Sequence, residues 1–260
     1  MTQKYSMYHI YRLLLLVVLY GICLTVSAQK TYIVCVGLNA NRDGVDPLPC
    51  SRSDMKGIAN FYHKYNGSEV FMLLDANATR SHIVKVLKQQ FAKSTPNDEI
   101  IFAYSGHGFD GGVSTYNNDE VLYCSEVQQI MLNAKARRKM MFVMSCHSGS
   151  FTKKNKDSKD NRRRYNKKSK VLLFLSSRPN EYSWETGFMD NSFFFHYLLE
   201  GLRGKADGAA GTQKDKKVTA RELFDYVAPK VADITQGKQH PQMSGGWEKF
   251  NDDMVIVNLK

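Results

Sequence analysis

The sequence predicts an α/β protein, a mostly parallel central sheet covered by helices on both faces. Three observations predict it. Apolar runs of strand length recur at residues 31–37, 100–103, 140–144 and 171–175, continuous as strands buried on both faces require. Segments with helical spacing separate them, the order that builds parallel sheets. The chain of 260 residues is long enough to close one such domain around a core.

Taken in order, residues 31–37 (Thr31-Tyr32-Ile33-Val34-Cys35-Val36-Gly37) form the first strand. Gly44, Pro47 and Pro49 break the chain after it. Met55, Ile58, Phe61 and Tyr62 recur at helical spacing and predict a helix over 54–65. A strand at 69–74 follows. Thr79 then caps a helix whose apolar face is Ile83, Val84, Leu87 and Phe91 and which ends before Pro96. The strand to Tyr104 leads into a Gly-rich excursion through Gly112 to Asn118, and 121–124 reads as a hairpin arm. A helix at 125–136 and a strand at 139–145 come next. After a basic stretch, 171–175 is a strand and helices are expected at 192–202 and 219–231. Thr219-Ala220-Arg221-Glu222 opens the second of these as a capping box. Residues 254–257 close the chain as a last strand, and no internal repeat is visible.

Residues 1–28 stand apart from this pattern. Lys4 and Arg12 precede the apolar run 13–19, and Val26-Ser27-Ala28 offers small residues for a signal peptidase. The mature chain is therefore expected to begin at Gln29, exported to the periplasm or secreted, with no stable membrane insertion after cleavage. Cys23 follows the bulky Ile22, which disfavours lipid attachment there. The remaining Cys35, Cys50, Cys124 and Cys146 allow two disulfides in an oxidising compartment. Cys35 and Cys124, in apolar segments, suit buried free thiols equally well. No CxxC pair suggests a zinc site.

The net charge of +11 is concentrated. Residues 153–170 hold seven Lys and three Arg against Asp157 and Asp160. With no apolar periodicity and only Tyr165 as an aromatic, this run reads as an exposed linker and not a nucleic-acid site.

Two motifs end strands: Tyr104-Ser105-Gly106-His107-Gly108 and Ser145-Cys146-His147-Ser148-Gly149. The carboxyl ends of parallel strands are where open α/β sheets carry out chemistry. A histidine on one end and a cysteine on another make a base and a nucleophile. That combination points to a cysteine peptidase. His147 adjoins the cysteine, but neighbours on extended chain point apart, so it is read as structural. A metal held by Cys146, His147 and His107 lacks a fourth ligand.

With these motifs in view, the chain from about residue 31 to the C-terminus resembles the caspase-like cysteine peptidases, most closely their bacterial metacaspase-like branch. Ser105-Gly106-His107-Gly108 resembles the family's histidine motif and Cys146-His147-Ser148-Gly149 its cysteine motif, 39 residues apart. The segment 191–202 with Ala206-Asp207, the segment 218–223, and Gln239-His240-Pro241-Gln242 resemble its later landmarks. The resemblance implies a three-layer sandwich. One peptidase domain would span 29–260: a large-subunit-like part at 29–152, a processing loop at 153–170 and a small-subunit-like part at 171–260. It also implies protein or peptide substrates and a monomer.

By the same resemblance Cys146 is the nucleophile and His107 the acid–base. The N–H groups of Gly108 and Cys146 form the oxyanion hole, and the glycine after the histidine admits substrate closely. Specificity for Arg or Lys would come from acidic groups. The loop 48–54 resembles the one that supplies the first acid, which puts Asp54 there, and Ser105 matches a pocket serine. The second acid usually stands two residues before the cysteine, where this chain has Met144. The loop 153–170, rich in Lys and Arg, would be a substrate of its own enzyme. No cofactor is expected, and calcium activation is left open, with Asp110, Asp119 and Glu120 as candidate ligands. A catalytically weak scaffold of the same fold and a binder of anionic polymers are the competing readings.

Overall fold

The computed structural model describes residues 29–39, 46–64, 67–116, 120–152, 171–245 and 254–259. The expected leader 1–28, the basic loop 153–170, Asn118 and Asp119 lie outside the described residues.

Among the described residues the elements run β1 (Thr31–Gly37), α1 (Ser51–His63), β2 (Ser68–Leu74), α2 (Arg80–Phe91) and β3 (Glu99–Ser105). Next come β4 (Gly108–Phe109), β5 (Gly112–Val113), β6 (Leu122–Tyr123), α3 (Cys124–Asn133) and β7 (Arg138–Met144). The last third holds β8 (Leu172–Leu175), α4 (Phe193–Glu200), β9 (Lys217–Thr219), α5 (Ala220–Ile234), β10 (Gln242–Gly245) and β11 (Val255–Asn258).

The main sheet has six strands in the order β10-β8-β7-β3-β1-β2. Five are mutually parallel, and β10 runs antiparallel to β8 at one edge. Because β1 pairs with β2 on one side and β3 on the other, the winding reverses there. The crevice outside the carboxyl ends of such strands is the natural binding place of the fold.

Period-two alternation makes the three layers. Val34, Val36, Phe102, Tyr104, Met141 and Val143 face one way, against Ile83 and Leu87 of α2 and Val127 and Met131 of α3. Ile33, Cys35, Ile101, Ala103, Met140 and Phe142 face the other, against Met55 of α1, Leu198 of α4 and Leu223 of α5. The expected helix caps form. Thr79 Oγ1 accepts from the His82 N–H, and Thr219 and Glu222 satisfy each other in both directions.

One expected boundary is corrected, and the ends of the sheet hold what the sequence did not specify. The first helix begins at Ser51, not residue 54, because the break after Pro49 tightens directly into a turn. The closing strand does not join the main sheet: β11 pairs antiparallel with β9 in a sheet of two. The vacant edge is taken by β10, whose Gln-Met-Ser-Gly sequence carries no strand signal. The Gly-rich excursion is a small antiparallel meander of β4, β5 and β6. All four described cysteines are free. Burial pushes the thiols of Cys35 and Cys124 up to about 12.

Candidate active site

The site is set by strand register. β3 and β7 pair in parallel out to Ser105 opposite Met144, and the Gly106 N–H reaches the Met144 carbonyl at 3.1 Å. His107 and Cys146 each stand two residues beyond that last pair, so adjacent strands deliver them to one crevice. Gly108 measures how tightly the two loops pack. A Cβ at this position would lie 2.4 Å from the Cys146 carbonyl oxygen and 2.6 Å from Ser145 Cβ. The backbone of the cysteine turn therefore requires the glycine.

His107 is half-buried. Its Nε2 lies 2.9 Å from the Asp46 carbonyl oxygen. A carbonyl only accepts, so Nε2 carries a proton, and in the neutral ring the lone pair falls on Nδ1. The backbone is fixed too: the His107 carbonyl accepts from Tyr104 Oη at 2.9 Å and from the Ser114 N–H at 3.0 Å. The Asp46 contact could not be read from the sequence, since a main-chain acceptor leaves no residue signature.

Among the described cysteines Cys146 alone is partly exposed; Cys35, Cys50 and Cys124 are buried. Among the described residues its N–H meets no backbone acceptor. Its turn is clamped by serines: the Ser145 N–H donates to Ser176 Oγ at 3.1 Å, and the Ser145 carbonyl accepts from Ser183 Oγ at 2.9 Å. Fully buried Gln239 ties this region together, donating to the Ser176 carbonyl at 2.8 Å and accepting from the Trp184 N–H at 2.7 Å. His147 Nδ1 lies 2.9 Å from the Pro179 carbonyl, in the loop after β8. The extended backbone expected here is not found. The chain here turns, with His147 in the left-handed region at φ 58°.

Beside this pair lies an acidic cluster. Asp54 is fully buried at the start of α1. It accepts from Ser105 Oγ at 2.8 Å, Ser192 Oγ at 2.7 Å, the Ser192 N–H at 3.0 Å and Asn191 Nδ2 at 3.1 Å. Burial pushes its carboxyl up to about 6, with those hydrogen bonds opposing. Glu185, in the loop after β8, is pushed up to about 7 by burial and by the charge of Asp54. Its Oε1 is buried without a partner. Cys50 completes the group, its thiol raised to about 12 by burial and by both carboxylates. Met144, by contrast, belongs to the apolar cluster under α1 and α4 and is 5% exposed.

Glu185 escaped the sequence reading. The available signal was its place in a loop after a parallel strand, since β8 opens on the same crevice as β3 and β7. Of the acids considered for calcium, Asp110 and Glu120 are exposed and Asp119 lies outside the described residues. Among the described residues no three His, Cys, Asp or Glu side chains converge as a metal site.

Register, crevice and layers together define an α/β sandwich of the caspase type. A family model described as "Caspase domain" matches residues 30–249, and the chain belongs to that family of cysteine peptidases, which act on proteins. A solved structure of a protein from Geobacter sulfurreducens is similar in fold, with a TM-score of 0.63 and 18% sequence identity. The match covers 88% of this chain and 100% of that one. No curated protein matches the chain.

Proposed function

We propose that the protein is a cysteine endopeptidase in which Cys146 and His107 act as a dyad, cutting after Arg or Lys. The observation that carries the reading is their delivery to one crevice by in-register strands, with the Asp46 carbonyl holding the far nitrogen of the imidazole. The Cys146 sulfur attacks the scissile carbonyl carbon, and its proton passes to His107 Nδ1 and on to the leaving amine. The C–N bond breaks and a thioester remains. Water then adds to the thioester carbon, losing a proton to Nδ1; the C–S bond breaks, the new carboxyl end of the peptide leaves, and Nδ1 returns the proton to the Cys146 sulfur. The N–H groups of Cys146 and Gly108 receive the oxyanion, each such donor contributing about 3–4 kcal/mol at the transition state.

Asp54 and Glu185 support a basic first residue. A cation entering from solvent meets the partly exposed Glu185 before the sealed Asp54. Glu185 Oε1, buried and unpartnered, is the acceptor that an arginine or lysine would satisfy. Tyr182, Trp184 and Phe188, exposed in the same loop, offer apolar surface for flanking residues of a peptide. The reading includes export, with maturation ahead of Gln29.

Fluorogenic peptides carrying Arg, Lys or Asp at the first position test it. Arg and Lys peptides should turn over and the Asp peptide should not. Cys146→Ala and His107→Ala should each lower kcat by on the order of 10³-fold or more without shifting the melting temperature. Peptide binding without turnover in the wild type would assign the fold a scaffold role instead.

A further inference from the structure

A concavity apart from the peptidase crevice lies at the other end of α1. Its first turn carries Asp54; a 13-residue helix rises about 20 Å, and at the far end opens a cavity of about 820 Å³. Three chain segments bring cations to it: Lys64 from the end of α1, Arg203 and Lys205 from the wide turn after α4, and Lys214 and Lys216 from the loop before β9. No Asp or Glu is among the described lining residues. Lys205 is paired with Glu200. Among the described residues the side chains of Lys64, Arg203, Lys214 and Lys216 have no ion-pair partner, whereas Lys217, one residue on, is paired with Asp215.

Like charges around one concavity repel, so the cluster is unfavourable unless something neutralises it. The backbone is also held in uncommon conformations at this place. Gly204 has φ 107° and Lys216 has φ 63°. For a non-glycine residue the latter is unusual and carries local strain. Lys216 is pinned there: its N–H donates to Asp207 Oδ2 at 3.2 Å and its carbonyl accepts from the Leu259 N–H at 2.8 Å. Phe61 and Leu259 supply an apolar wall beside the charges. The volume suits a small molecule and not a macromolecular surface.

We propose that this cavity binds a multiply charged phosphate compound, of the oligophosphate or nucleoside-triphosphate class, remote from the peptidase crevice. Four unneutralised cations match a ligand of three or more negative charges, lysine being a common point-charge partner of phosphate. The apolar wall leaves room for an uncharged portion.

Titration calorimetry of the purified protein with inorganic tripolyphosphate is the test. A parallel arm uses phosphatidylcholine vesicles with and without phosphatidic acid, to separate a free phosphate from a lipid headgroup. Tripolyphosphate should bind with one-to-one stoichiometry, and affinity should fall as salt screens the charges. The double variant Lys64→Gln/Lys214→Gln should weaken binding at least about fivefold, and Lys64→Glu/Lys214→Glu further, with unliganded melting curves as the check on folding. Binding to acidic vesicles alone, weakened by the same variants, would assign the anion to a lipid. Absence of binding in both arms overturns the site. So does binding that both double variants retain, since the phosphate would then be held elsewhere.

Discussion

At the residue scale, the distinctive feature is where the second carboxylate comes from. Met144 is packed in the core, while Glu185 arrives from the loop after β8 and stands close enough to Asp54 for the Asp54 charge to raise its carboxyl. With the Glu185 carboxyl raised to about 7 by burial and Asp54, it is largely protonated at pH 5 and ionised at pH 8. The ratio of kcat/KM for an arginine peptide over its uncharged citrulline analogue should therefore rise across that range. Titration of the dyad cancels in the ratio. Glu185→Gln should flatten the profile and lower the ratio at pH 8 by about tenfold, mostly through KM, as expected for the loss of a charge-assisted hydrogen bond worth roughly 1.5–3 kcal/mol. Asp54→Asn removes the neighbour that raises Glu185, so the rise in the ratio should move to lower pH. The positions of His107 and Cys146 just past adjacent strands were legible in the sequence because each follows an apolar strand in a short motif. Glu185 was not, because its partners are 131 and 135 positions away in Asp54 and Cys50 and meet it only through the fold.

At the scale of elements, continuous apolar runs betrayed β1, β3, β7 and β8, since strands buried on both faces cannot hide their composition. β9 and β10 were invisible for the converse reason. They are short and polar, and exist through pairing: β10 lies along Leu172–Leu175, and β9 along β11. The capping box of α5 was legible to the residue and extends further than spelled. Glu222, buried, also accepts from the Gly208 N–H at 3.2 Å and from Thr212 Oγ1. Thr219→Ala should cost about 1 kcal/mol of stability in denaturant titration, as for other N-caps, with peptidase activity kept. Gly108→Ala sits at the opposite extreme. The added methyl would press on the Cys146 carbonyl at 2.4 Å, so activity should fall by at least about a hundredfold as the turn is displaced. Comparable melting temperatures for the two variants would separate positioning from stability.

At the scale of the whole molecule, Cys146 and the Glu185 loop fall on opposite sides of residues 153–170, yet β7 and β8 are neighbours in the sheet. We propose that the enzyme cuts itself within that basic segment, whose Lys and Arg suit an acidic first-residue pocket. Intact-mass measurement of the purified wild type should give two fragments, and of Cys146→Ala a single chain. An uncut wild type with full activity would remove the processing step and leave the peptidase standing. A nick there need not release either piece. Met140 to Val143 lie in register with Leu172 to Leu175, and α4 and α5 bury Phe194, Leu198, Leu223 and Val227 against strands of the first part. Scission would thus turn one polypeptide into a non-covalent pair. The halves should copurify, and thermal unfolding, independent of protein concentration for the intact chain, should become concentration-dependent once the pair must find each other again.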